Sequence, residues 1–103
     1  MAKQITDANL QEVLDNEELV VIDFWAEWCG PCRMLGPVLE EVSEDLPELT
    51  IVKVNVDEFP NLARRFNVSA IPTMVEFVEN KNVNTLRGFL PKEALKTWIK
   101  QHE

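Results

Sequence analysis

Cysteine is scarce in this chain. Two occur among 103 residues, and histidine occurs once. A secreted disulfide scaffold of this size carries several pairs at wider spacing. A bridge between Cys29 and Cys32 would close so short a loop that it would restrain the unfolded chain little. The only histidine, His102, lies next to the C-terminal residue. Two cysteines and that histidine do not make the four ligands of a structural zinc site, so no metal is expected. Long apolar runs are missing as well: no stretch approaches the ~18 residues of a membrane-spanning helix. Met1 to Leu10 shows no signal-type apolar run, which points to the cytoplasm, although a processed precursor would read the same way. Basic residues are outnumbered, with 10 Lys and Arg against 18 Asp and Glu and a net charge of −8. That balance argues against nucleic acid or an anionic membrane as partner. It favours a soluble chain, and monomer is the expectation.

What the chain has is enough apolar material for a core, 46% of its residues, and a length that fits a single domain over residues 1–103. Thr6 can cap a helix over Asp7 to Leu14, with Leu10, Val13 and Leu14 on one face. Leu19 to Ala26 is almost wholly apolar and rich in β-formers, as expected of a strand covered on both sides. A turn through Glu27 to Pro31 leads into a helix from Cys32 to about Leu46. Pro37 should kink that helix and Pro47 help to end it. Ile51 to Val56 alternates as a strand, and a short helix follows Pro60 over Leu62 to Phe66. Strands at Thr73 to Val78 and Asn82 to Leu86 flank a turn in which Asn80 can accept positive φ. Pro91 suits the first turn of a last helix carrying Leu95, Trp98 and Ile99. Strands alternating with helices, then two strands in succession, indicate an α/β domain with a mixed sheet and helices on both faces.

The order apolar strand, short turn, CxxC, helix carries the chemistry. In an α/β chain this placement reads as a dithiol redox motif. Backbone N–H groups at a helix start lack intrahelical partners, and with the helix dipole they favour a thiolate. Cys29 comes first, should be the more exposed, and is the expected nucleophile. Cys32, one turn further in, would resolve the mixed disulfide. Gly30 keeps the turn open, and Pro31 sits early in the helix where no hydrogen bond is lost. An inert pair of cysteines is the competing reading.

Asp23 is the one charge inside the apolar strand. Burial is costly for a lone carboxylate and raises its pKa. It precedes the thiols closely enough to lie beneath them and take the proton of Cys32. Lys53, which interrupts the next apolar strand, is its natural partner; a solvated edge position is the alternative for it. Of Trp25 and Trp28, one is expected to pack on the sheet. Trp28, beside Cys29, can offer an apolar edge to a protein substrate.

Val21-Ile22-Asp23-Phe24-Trp25-Ala26-Glu27-Trp28-Cys29-Gly30-Pro31-Cys32-Arg33-Met34 closely resembles the active-site segment of the thioredoxin family. The likeness continues through Pro37, Lys53, Asn55, Asp57, Ile71-Pro72-Thr73 and Gly88, and so spans nearly the whole chain. It implies a thioredoxin fold: a central mixed five-stranded sheet flanked by four helices, with an extra strand near Gln4 and Ile5 and strand order 1-3-2-4-5. It implies a cis bond before Pro72, which packs against the cysteine pair. The backbone at Ala70 and Ile71 would pair with an extended substrate segment, and Trp28, Ile71, Pro72 and Gly88 would form the docking surface. Asp23 and Lys53 match the family's buried pair. The activity implied is protein-disulfide reduction. Electrons would come from NADPH through a thioredoxin reductase-like flavoenzyme, so no cofactor is bound to this chain. The Gly-Pro between the cysteines matches general cytoplasmic reductants, whereas oxidising relatives carry other dipeptides.

Three positions depart from the family pattern. Glu76 replaces an aliphatic residue in the fourth strand, Asn80 replaces a turn glycine, and Arg87 stands before Gly88 where small apolar residues are common. They bear on partner choice rather than on catalysis. A thioredoxin-fold binding or structural subunit of a larger complex, with dispensable thiols, is the alternative function; an oxidant or isomerase is a third.

Overall fold

The computed structural model describes residues 2–4 and 7–103, and side chains from residue 9 onward. Thr6, the expected helix cap, and Ile5 lie outside the described residues. In chain order the elements are β1 (Ala2–Gln4), α1 (Asp7–Asn16), β2 (Leu19–Trp25), α2 (Gly30–Asp45), β3 (Leu49–Asn55), α3 (Pro60–Arg65), β4 (Thr73–Val78), β5 (Lys81–Arg87) and α4 (Lys92–Lys100). The strands form one five-stranded sheet in the order β1-β3-β2-β4-β5. β3 pairs in parallel with β1 and β2. β4 pairs antiparallel with β2 and β5.

Alternation along the strands sends side chains to two separate cores. Val20, Ile22, Phe24, Val52, Val54, Val75 and Phe77 pack with Leu10 and Leu14 of α1 and Leu62 of α3. Leu19, Val21, Ile51 and Met74 pack on the other face with Leu35, Leu39 and Val42 of α2 and Leu95 and Ile99 of α4. β2 is central and covered on both sides, so Leu19 to Phe24 are all buried. Each such aliphatic or aromatic side chain contributes about 1.5–3 kcal/mol on burial. That makes the strand a rigid base for the turn that follows it.

Element ends differ from the sequence reading in instructive ways. α2 starts two residues before Cys32, because Cys29 caps it and Pro31 fits its first turn. The helix then runs unbroken through Pro37. Pro91 is the cap before α4 rather than part of it, with an extended ψ of 167°. The β4–β5 turn uses positive φ at both Glu79 (49°) and Asn80 (65°). This is the two-residue pattern that matches strand twist; Asn tolerates it better than Glu does.

Candidate active site

β2 ends at Trp25, and the chain turns through Ala26 to Cys29 before α2 begins. The Cys29 amide donates to the Ala26 carbonyl at 3.2 Å, and the Cys29 carbonyl accepts from Arg33 at 3.2 Å. Cys29 is therefore the cap of α2 with an extended backbone, φ −89° and ψ 107°. Its sulfur accepts the backbone N–H of Cys32 at 3.2 Å. One of the otherwise unpaired donors of the helix start is thus aimed at Sγ. No acidic residue stands in the first turn to oppose a negative sulfur.

Cys29 and Cys32 are joined as a disulfide with 5.3 Å between their α-carbons. They are 5% and 4% exposed. The expected contrast in exposure is absent, because in the bridged form both cysteines share one buried cluster with Ala26, against which Trp25, Val56 and Ile71 pack. Gly30 opens the helix instead of sitting in an open turn, and a β-carbon there would meet nothing within 4 Å. Pro31, at the next position, is exposed.

Asp23 lies on the α2 face of β2, 1% exposed. Neither of its oxygens has a hydrogen-bond partner. Burial pushes its pKa up to about 6, with the Lys53 charge pulling the other way. Lys53 is its direct neighbour on β3, yet the two form no contact ion pair. The Lys53 ammonium instead lies over the Trp25 ring, 4.8 Å from its centroid. It also faces α2 at Gly36, whose β-carbon would stand 3.6 Å from Nζ. A cation over an indole face is stabilised by the ring quadrupole. Lys53 therefore acts on Asp23 through space, and Trp25 is the tryptophan that packs on the sheet.

Trp28 is 70% exposed, and its indole N–H donates to the Asp57 carboxylate at 2.8 Å. Asp57 is fixed in turn: its amide donates to the Asn55 side-chain oxygen at 2.9 Å. Neither bond is among the expectations above; the sequence signals only the second, through the Asn55-x-Asp57 spacing at the end of a strand, where Asn side chains bond the backbone two residues on.

Trp28, Ala70 and Ile71 meet at a shallow depression of about 190 Å³, with Val56, Ala63, Val68 and Ser69 completing its wall. The Ile71–Pro72 bond is cis, and Pro72 is buried. The Thr73 hydroxyl donates to the Ala70 carbonyl at 2.6 Å. Gly88, with φ at 114°, donates its amide to the Pro72 carbonyl at 2.9 Å. That φ explains a glycine there. Of the residues read from sequence, Cys29, Cys32, Trp28, Gly30, Pro31, Ala70, Ile71, Pro72 and Gly88 thus gather at one end of the sheet, with Asp23 and Lys53 beneath. Among the described residues no group of three or more His, Cys, Asp or Glu is placed to hold a metal.

A bridged cysteine pair at a helix start, backed by a buried carboxylate, defines a thiol–disulfide oxidoreductase. The thioredoxin family model matches residues 1–101. A thioredoxin from Chlorobaculum thiosulfatiphilum is 45% identical over 96% of this chain and 94% of its own. One from Alicyclobacillus acidocaldarius is 45% identical over 92% of this chain and 91% of its own. Among solved structures, a thioredoxin variant from Halobacterium salinarum superimposes with a TM-score of 0.90 at 34% identity, covering 96% of this chain and 88% of that one. Plasmodium falciparum thioredoxin gives 0.88 at 34% identity, covering 98% and 99%. The chain belongs to the thioredoxin family, and it is a protein-disulfide reductase that works by dithiol–disulfide exchange.

Proposed function

We propose that Cys29 is the attacking thiolate and Cys32 the resolving thiol. The observation that carries this is the Cys32 N–H directed at the Cys29 sulfur at 3.2 Å. A thiolate there accepts a charge-assisted hydrogen bond and the helix dipole together. Cys29 attacks one sulfur of a substrate disulfide, forms a mixed disulfide and expels the other substrate sulfur as a thiolate. Asp23, ionised near neutral pH, takes the proton of Cys32. The Cys32 sulfur then attacks Cys29, releasing the second substrate thiol. Two electrons pass to the substrate, and the Cys29–Cys32 disulfide remains.

Lys53 holds Asp23 toward its charged form through the space between the strands. Gly30 and Pro31 leave the approach to the disulfide open. Trp28, Ala70, Ile71, Pro72 and Gly88 seat the substrate segment, whose backbone pairs with Ala70 and Ile71. A thioredoxin reductase-like flavoprotein returns electrons from NADPH to the disulfide, with neither nucleotide held by this chain. The protein works as a cytoplasmic monomer of one domain, away from nucleic acid and membrane.

The test is insulin-disulfide reduction with NADPH and a reductase, repeated with dithiothreitol. Turnover with both supports the chemistry and the electron donor. Turnover with dithiothreitol alone removes the donor, and turnover with neither removes the mechanism.

A further inference from the structure

The two sides of the docking face carry different charge. Beyond Trp28 lie Glu27, Asp57 and Glu58, all exposed, and Asp57 is engaged by the Trp28 indole. On the other side stands Arg87, the last residue of the edge strand β5. It is exposed, and among the described residues its guanidinium has no hydrogen bond or ion pair. Its place is fixed by two neighbours. Arg87 is opposite Thr73 in the β4–β5 ladder. The next residue, Gly88, is tied to the Pro72 carbonyl at 2.9 Å. Thr73 alternates with Val75 and Phe77, which pack on the α3 side of the sheet. The depression at Ala70 and Ile71 is walled by Ala63 of α3 and Val68 just beyond it, so Arg87 and the depression share that side.

We propose that Arg87 is a specificity-determining residue that favours disulfide substrates with an acidic side chain next to the reactive cysteine, in the segment seated on Ala70, Ile71 and Pro72. The inference rests on the docking surface assigned above and names what that surface selects. A chain of net charge −8 repels acidic segments at long range, so a local cation decides whether one can settle. The guanidinium fork matches a carboxylate bidentately, which fixes register as well as charge. The competing role for Arg87 is to guard an exposed strand edge against pairing, and this would give no preference among substrates.

The test uses disulfide-bridged peptides identical except for Glu, Gln or Lys at the residues flanking the cysteine, reduced with dithiothreitol as electron source. Each protein's kcat/KM is referred to its own Gln peptide. The intact protein should prefer Glu over Lys by about twofold to fivefold at low salt, the range of an exposed ion pair. The preference should shrink in about 0.5 M salt, vanish in Arg87→Gln and invert in Arg87→Glu. A Glu preference that persists in Arg87→Gln, or no preference in the unmodified protein, overturns the proposal. Peptides that dock and are reduced without preference leave the docking surface intact, whereas failure to reduce any of them removes the surface itself.

Discussion

Replacing Glu76 with leucine should stabilise the protein above neutral pH by about 2–3 kcal/mol more than it does in acid. Glu76 is on β4 opposite Val21 of β2, on the face covered by α2 and α4, and is 0% exposed. Neither of its carboxylate oxygens has a hydrogen-bond partner. Burial, reinforced by the Glu103 charge, raises its pKa from 4.5 to about 7. For an acid, a folded pKa above the unfolded one means that the folded state binds more protons between the two values. Stability therefore falls as pH rises from about 4.5 to about 7, and the full cost is present above that window. At about 1.4 kcal/mol per pH unit the cost would be roughly 3.4 kcal/mol. The Glu103 charge that adds to the shift sits on an exposed residue and is screened by solvent, so about 2–3 kcal/mol is the better figure. Urea unfolding of the oxidised protein and of Glu76→Leu, at a series of pH values from about 4 to about 8, reads it directly. Asp23 titrates in both proteins and cancels from the difference. For a domain of this size the gain near pH 8 corresponds to a rise in Tm of very roughly 10–20 °C. The reasoning is refuted if the leucine variant gains the same amount at both ends of the range.

Cys32→Ser should accumulate mixed disulfides with substrate that survive non-reducing electrophoresis, while Cys29→Ser should not; the reverse pattern would exchange the two roles. Asp23→Ala should slow turnover several-fold at about pH 6–7 and far less at about pH 9, where Cys32 ionises unaided; a ratio independent of pH would take Asp23 out of the proton path. The same variant should gain stability over the parent as pH rises from 3.8 to about 6, because a folded pKa of about 6 against 3.8 costs the parent stability across that window, with the full cost present above it. Denaturant midpoints at pH 5 and 8 check the sign.

Much of the fold was legible because strand and helix patterns agreed with their flanking punctuation. Leu19 to Ala26 reads as a central strand because neither face offers a polar residue except Asp23, and the structure, with the strand over Leu19–Trp25, buries both faces. The site was legible where chemistry is local, as with Cys29, Gly30, Pro31 and Cys32 within one helical turn. It was less legible where contacts cross the chain. Asp57 lies 29 residues from the Trp28 indole it holds, and no local pattern announces that pairing. Lys53 is the expected partner of Asp23 because both interrupt apolar strands. Register does place them side by side, but the indole of Trp25 competes for the ammonium. Order along the chain suggests a more exposed Cys29 but says nothing about Ile71, which arrives from a distant loop to pack against the cluster of Ala26 and the two cysteines. Glu76 stood out only against the family pattern; its lack of any hydrogen-bond partner is a property of the packed sheet.

The account depends most on the charge state that the start of α2 imposes on one sulfur. Alkylation of the fully reduced protein by iodoacetamide, followed at Cys29 by mass spectrometry across pH, measures it. The rate should follow an ionisation below the ~8.5 of an ordinary cysteine, because the helix start and the Cys32 amide favour the thiolate. A midpoint at or above 8.5 or so would mean that the Cys32 amide and the helix give the thiolate no advantage, and the assigned nucleophile would have to be abandoned.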